Sequence, residues 1–150
     1  MDDVEHVLRF FTIKANWRRM GSVLGQEMDS FMAKNRKSDI SNFERDFLRA
    51  VEGCRNLWGN HAYHKPLNIG WREQLISPLY DAEMVSDSML TDNELGTLYE
   101  RRNLVIERTK QLFFEDLDFV KSVTQSTNNS SAVFRRVETI YRMLKTIASE

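Results

Sequence analysis

Three histidines, one cysteine and a few closely spaced charges are the residues with chemistry to offer. His61 and His64 stand three apart and could share a metal ion, with His6 as a third ligand. They fall in a segment that reads as a loop, and the spacing is not the His-Glu-x-x-His arrangement of a helical zinc site. No nearby Cys, Asp or Glu completes a coordination set, so they read as ordinary loop histidines. Cys54 would need a base and an electropositive setting to act as a nucleophile. It lies instead on an apolar helical stripe and is assigned to the core. Gly21 and Gly25 are four apart without the Lys-Ser/Thr that completes a phosphate-binding loop. The acidic pairs Asp2/Asp3 and Asp116/Asp118 sit where helices begin, and capping accounts for them. The expectation is no catalytic residue, no metal and no cofactor.

Basic clusters are the stronger candidates. Arg18-Arg19 beside Trp17, Lys34-Arg36-Lys37, Arg101-Arg102 and Arg135-Arg136 could contact phosphate, with Trp17 stacking on a base. Charge distribution argues against a polyanion covering the whole surface. The chain has net charge −1, and residues 73–100 hold 7 acidic residues and no basic one. Residues 1–72 carry 12 basic against 9 acidic residues, and residues 101–150 carry 9 against 6. An acidic stripe between two mildly basic regions favours local salt-bridging over nucleic-acid binding. Arg9 and Arg136 differ because each adjoins core positions. A buried guanidinium requires an acceptor, which an internal carboxylate, a carbonyl or another domain can supply. Arg9, Arg36 and Arg136 are therefore the candidates for inter-domain or phosphate contacts, with a structural or inter-domain role favoured for Arg9 and Arg136.

The elements that would position these residues are helical. The chain has 150 residues, 41% hydrophobic, with two prolines and six glycines, which suits one helix-rich domain with a substantial core. Asp3 can cap a helix over 4–15 whose buried face is Val4, Val7, Leu8 and Phe11. A loop over 16–25 precedes a helix over 26–34, with Leu24, Met28, Phe31 and Met32 facing inward. Ser41 and Glu44 match a capping box for a third helix ending at Trp58, before Gly59. Its stripe is Phe43, Phe47, Val51, Cys54 and Trp58. Residues 61–70 read as a loop. Ser77-Pro78 opens a helix to about Met89 that is apolar on more than one face. A second capping box, Thr91 to Glu94, begins a helix predicted to reach Phe113. A short helix over 116–124, the polar loop 125–131 and a final helix over 132–148 complete the chain. The final helix places Val133, Val137, Ile140, Tyr141, Leu144 and Ile147 in register. No segment alternates with period two, so no strand is predicted. The reading is all-α, a single irregular bundle of about six or seven helices over residues 1–150.

Several of these segments carry a family resemblance. Asp3-Val4-Glu5 with Val7-Leu8-Arg9-Phe10-Phe11 resembles the stretch Asp-x-Glu-x-Val-Leu-Arg-Phe of the domain-of-unknown-function family at the N-terminus of GmrSD-type, modification-dependent restriction enzymes. Phe31-Met32 followed by Asn35-Arg36 is similar to that family's Phe-Met, then Asn-Arg helix end. Leu57-Trp58-Gly59-Asn60-His61-Ala62-Tyr63-His64 resembles Leu-Gly-x-x-Ala-Phe-Arg, with Trp58 interposed and His64 in place of arginine. Leu79-Tyr80-Asp81-Ala82 resembles Leu-Phe-Asp-Ala, and Ser126-Thr127-Asn128 with Val133, Arg136 and Val137 resembles the closing Thr-Asn loop and Val-x-x-Arg-Ile helix.

The resemblance covers only the helical part of that family. Its ParB-like α/β half, with an Asp-Gly-Gln-Gln-Arg nucleotide motif, and its HNH-like nuclease have no counterpart in this sequence. The implied role is a non-catalytic, not enzymatic, helical piece of a bacterial restriction or phage-defence system. It would pack against a ParB-like half or a full-length relative, and would meet DNA only within a larger assembly. The alternatives are a free-standing, regulatory interaction module and a helical nucleic-acid-binding domain. Because the resemblance begins at Asp3, the expectation is an excised fragment or a truncated gene product. An orphaned apolar face would also permit homo-oligomers. A lone cysteine, an acidic start and no long apolar run suggest a cytoplasmic protein with no membrane span.

Overall fold

The computed structural model describes residues 3–150 and is all-α apart from one short hairpin. Among the described residues there are eight α-helices: α1 (Asp3–Asn16), α2 (Leu24–Lys34), α3 (Ile40–Trp58), α4 (Ser77–Ser88), α5 (Asp92–Glu100), α6 (Arg102–Glu115), α7 (Leu117–Thr124) and α8 (Ser130–Ser149). A 3₁₀ turn over Gly59–His61 and two strands, β1 (His64–Pro66) and β2 (Trp71–Leu75), separate α3 from α4.

The organising element is α4. Every residue from Leu79 to Asp87 is buried, because α1, α3, α7 and α8 pack around it. A helix covered on all sides lacks the one-sided polarity of a surface helix, which explains why its apolar positions fall on more than one face. Its longest partner, α8, contributes Val133, Val137, Ile140, Leu144 and Ile147, all fully buried and in the predicted register. Ser86 reaches across to donate its hydroxyl to the Val137 carbonyl, 3.2 Å away. The predicted Thr91 capping box is present: the Thr91 hydroxyl accepts from Glu94 N and the Glu94 carboxylate accepts from Thr91 N.

The contact between α3 and α4 depends on a glycine. A Cβ added to Gly53 would lie 2.2 Å from Oδ2 of the buried Asp87. Gly53→Ala must therefore displace the carboxylate or part the helices. The expected loss of stability is about 1–3 kcal/mol, the usual cost of overpacking. Urea unfolding checks it: Gly53→Ala combined with Asp87→Ala should lose clearly less than the sum of the two single changes. Additive losses would place the strain elsewhere.

Four expectations are corrected. Where residues 61–70 are expected to form a plain loop, residues 64–75 form a hairpin: β1 and β2 pair antiparallel, with His64 opposite Leu75 and Pro66 opposite Trp71. Its turn closes with Leu67 N donating to Gly70 O, and Gly70 has φ +77°, where a side chain would be strained. The predicted helix over 92–113 is split at Arg101, whose guanidinium instead donates to the Ile147 and Glu150 carbonyls at the end of α8. Asp39, not Ser41, caps α3, accepting from Ser41 N at 2.9 Å. The buried face of α1 is Phe10, Phe11 and Ile13 together with Arg9 and Thr12, and Val4 is 76% exposed. The predicted part of Asp2 in the first turn lies outside the described residues.

Candidate functional site

Arg9, Asp81 and Arg136, far apart in sequence, meet in the core. Arg9 donates Nε to Asp81 Oδ1 at 3.0 Å and Nη2 to Oδ2 at 2.5 Å, a two-pronged contact that suits a planar guanidinium. Arg136 donates Nη2 to the same Oδ2 at 2.7 Å. Its Nη1 is shared between the carbonyls of Ser122, 3.1 Å away, and Thr127, 2.5 Å away. Arg136 and Asp81 are fully buried and Arg9 nearly so. Burial pulls the Arg136 pKa below its ordinary value while the Asp81 carboxylate opposes the shift. Arginine nonetheless stays charged, so two cations share one anion; the Ser122 and Thr127 carbonyls take Arg136 Nη1, while Arg136 Nε is buried without a partner among the described residues.

This knot joins α1, α4, α8 and the 125–129 loop. Of the acceptors weighed from the sequence, an internal carboxylate serves both arginines and backbone carbonyls serve Arg136 alone. Neither guanidinium is available to phosphate or to another domain. Arg36, the third candidate, is on the surface after α2 and shares nothing with them.

A second polar group lies along α4. Glu83 Oε1 accepts the Tyr63 backbone N–H at 2.7 Å, which helps hold Tyr63 at φ +69°, a region bulky residues rarely occupy. The Tyr63 hydroxyl points to Met84 Sδ at 3.1 Å. Glu83 Oε2 and both Asp87 oxygens have no hydrogen-bond partner. Burial raises the Glu83 pKa well above the carboxylate range, and pushes Asp87 up to about 7 although Arg49 opposes it. Cys54 is raised first by burial and then by Asp87 and Glu83.

Perturbed acids beside a thiol are what a catalytic cleft contains. Here Cys54, Glu83 and Asp87 are fully buried, so no substrate reaches them. A thiol next to carboxylates is also held protonated, the opposite of nucleophilic activation. The assignment of Cys54 to the core holds. So does the reading of Asp116 as a cap, since it accepts from Phe119 N at 2.9 Å.

The acidic stripe read from residues 73–100 is only in part a surface feature. Asp81, Glu83 and Asp87 are buried, and only the remainder faces water. The base-stacking role weighed for Trp17 is also excluded, because Trp17 is buried with Arg18 over its ring at 4.2 Å. His61 stacks on Trp71 at 4.2 Å and His64 Nδ1 lies 2.8 Å from the Arg72 carbonyl. Among the described residues no group of three or more His, Cys, Asp or Glu is placed to hold a metal.

One open groove is mainly apolar. It measures about 610 Å³ and runs between α1, α2 and α3, lined by Val7, Leu8, Phe11, Met32, Ile40 and Phe43 among others. Met32, predicted to face inward, is 50% exposed on its lip, and Ile40 is 75% exposed. Lys34, Arg36 and Lys37 follow at the end of α2 and on the adjoining turn, exposed and without ion-pair partners among the described residues. Among the described residues no helix is long and apolar enough to cross a membrane. No protein-family model, curated protein or solved structure matches this chain.

Proposed function

We propose that this chain is a non-catalytic helical interaction domain related to the GmrSD-like restriction proteins, working in the bacterial cytoplasm by packing against a ParB-like nucleotide-binding half. One observation carries the reading. Three of the segments that resemble the family supply Arg9, Asp81 and Arg136, the last together with the Thr127 carbonyl, and all three meet in one hydrogen-bonded knot. Motifs that converge on one buried network behave as the framework of a shared fold rather than as scattered apolar coincidences. Cys54, Glu83 and Asp87 are closed into the core, and one open groove is mainly apolar, the kind of surface an interaction domain uses.

A regulatory module that binds a full-length relative is the second reading, favoured by the same open groove. Nucleic-acid binding by the isolated chain has less support, since Trp17, Arg9 and Arg136 are taken up in the core.

The expected outcome is that purified protein neither hydrolyses nucleoside triphosphates nor cuts DNA, and that it co-purifies with the ParB-like half of a family member expressed beside it. Turnover at enzyme-like rates, or separate elution of the two proteins, would overturn the proposal.

A further inference from the structure

The groove between α1, α2 and α3 has a counterpart on the same chain. Its floor is Val7, Leu8, Phe11 and Phe43, and its lip carries the exposed Met32 and Ile40. Beside it the end of α2 and the turn that follows present Lys34, Arg36 and Lys37, none in an ion pair among the described residues, while Asp29 also lines the groove. At the corner between α6 and α7 the pattern is inverted. Phe114 is 56% and Leu117 65% exposed, and Glu115 and Asp118 beside them are exposed and likewise outside any ion pair. Asp116 between them is occupied in capping α7.

We propose that the α6–α7 corner of one copy docks in the α1–α3 groove of a second copy, joining chains head to tail. Two exposed apolar side chains match an apolar trough, and two free acids match three cations that outnumber the groove's one lining acid, Asp29. Both halves of the match reside on one polypeptide, which selects a second copy over an unrelated partner. The two surfaces sit on separate helices of one packed domain, so they meet only between molecules. Because they differ, the contact is heterologous and extends beyond a dimer unless the rotation closes a ring. Phe114 and Leu117 supply the anchoring energy. The charged rims orient the encounter and make it salt-sensitive. This contact stands apart from the ParB-like reading, because it requires no other protein.

Sedimentation velocity over a concentration series at low salt tests it, with two double variants at exposed positions. The groove variant is Met32→Glu with Ile40→Glu, and the corner variant is Phe114→Lys with Leu117→Lys. The parent should sediment faster as concentration rises, and each variant alone should remain monomeric, its association weakened by about tenfold or more. Mixed in equal amounts, the two should form a one-to-one dimer that grows no further, since each retains the surface the other lost.

A charge-only pair, Arg36→Glu with Lys37→Glu and Glu115→Lys with Asp118→Lys, keeps the test open if an apolar variant misfolds. Each charge variant alone should associate more weakly than the parent, and mixing them should restore pairing. A parent that stays monomeric throughout, or blocked variants that fail to pair, would overturn the proposal. So would a groove variant that abolishes association while the corner variant behaves like the parent, which would mean the groove takes some other occupant. No ParB-like protein or nucleotide is present, so failure here leaves the preceding reading untouched.

Discussion

Asp81→Ala is expected to cost about 3–5 kcal/mol, the loss typical of removing one partner from a buried ion pair. Asp81 is the anion that Arg9 and Arg136 both donate to, and among the described residues no other carboxylate hydrogen-bonds to either guanidinium. Its removal leaves two buried cations facing each other across a cavity. Against a total stability of roughly 5–15 kcal/mol for a domain, that is enough to unfold much of the population. Asp81→Asn retains a carbonyl acceptor and should lose less than Asp81→Ala, which separates lost charge from lost hydrogen bonding. Urea unfolding reads both. A loss under about 1 kcal/mol for Asp81→Ala would mean the knot behaves like a surface pair, and its place at the centre of the fold would be wrong.

The second large effect is a dependence on pH set by Asp87. Its carboxyl has an ordinary value of 3.8 and is pushed up to about 7 in the folded chain by burial, with Arg49 pulling the other way. The folded state therefore holds the proton more tightly than the unfolded state. Stability from this group is fully present below about pH 4, falls as the pH rises towards 7 and levels off above it. Three pKa units correspond to roughly 4 kcal/mol, and relaxation around the carboxylate reduces this to an expected 2–4 kcal/mol. Glu83 is shifted the same way and adds to the slope. Glu94 works in the opposite direction, its pKa lowered first by its hydrogen bond from Lys145.

Asp87→Asn keeps the shape and removes the titration. It should be clearly more stable than the parent at pH 8 and similar at pH 4. Denaturant midpoints across that range decide it. An unchanged slope in Asp87→Asn would show that Asp87 ionises without penalty.

What the sequence made legible follows from where its signals are local. The α8 stripe, the Thr91–Glu94 capping box, the polar loop before α8 and the core position of Cys54 depend on spacing within a turn or two, and each is found as expected. The features that were not legible depend on distant partners. Arg101 breaks α5 from α6 where its guanidinium reaches the last carbonyls of α8. The hairpin escaped because its faces are largely exposed, so there is no buried side to impose alternation.

The burial of Asp81, Glu83 and Asp87 was hidden for a similar reason. Charge counting treats acids as surface groups, whereas α4 is enclosed on every side. Its lack of a clean polar face was the available signal. Arg9 and Arg136 stand out in the sequence because they adjoin core positions. The partner that joins them, Asp81, was visible only as part of a motif.

Calorimetric titration of the chain with the ParB-like half of a GmrSD-type protein tests the central reading most directly. Saturable binding with a negative heat-capacity change would signal apolar surface buried between two folded partners, and it is the predicted result, with no nucleotide turned over by the helical chain alone. No heat of binding across the temperature range, or turnover by the isolated chain, would contradict it.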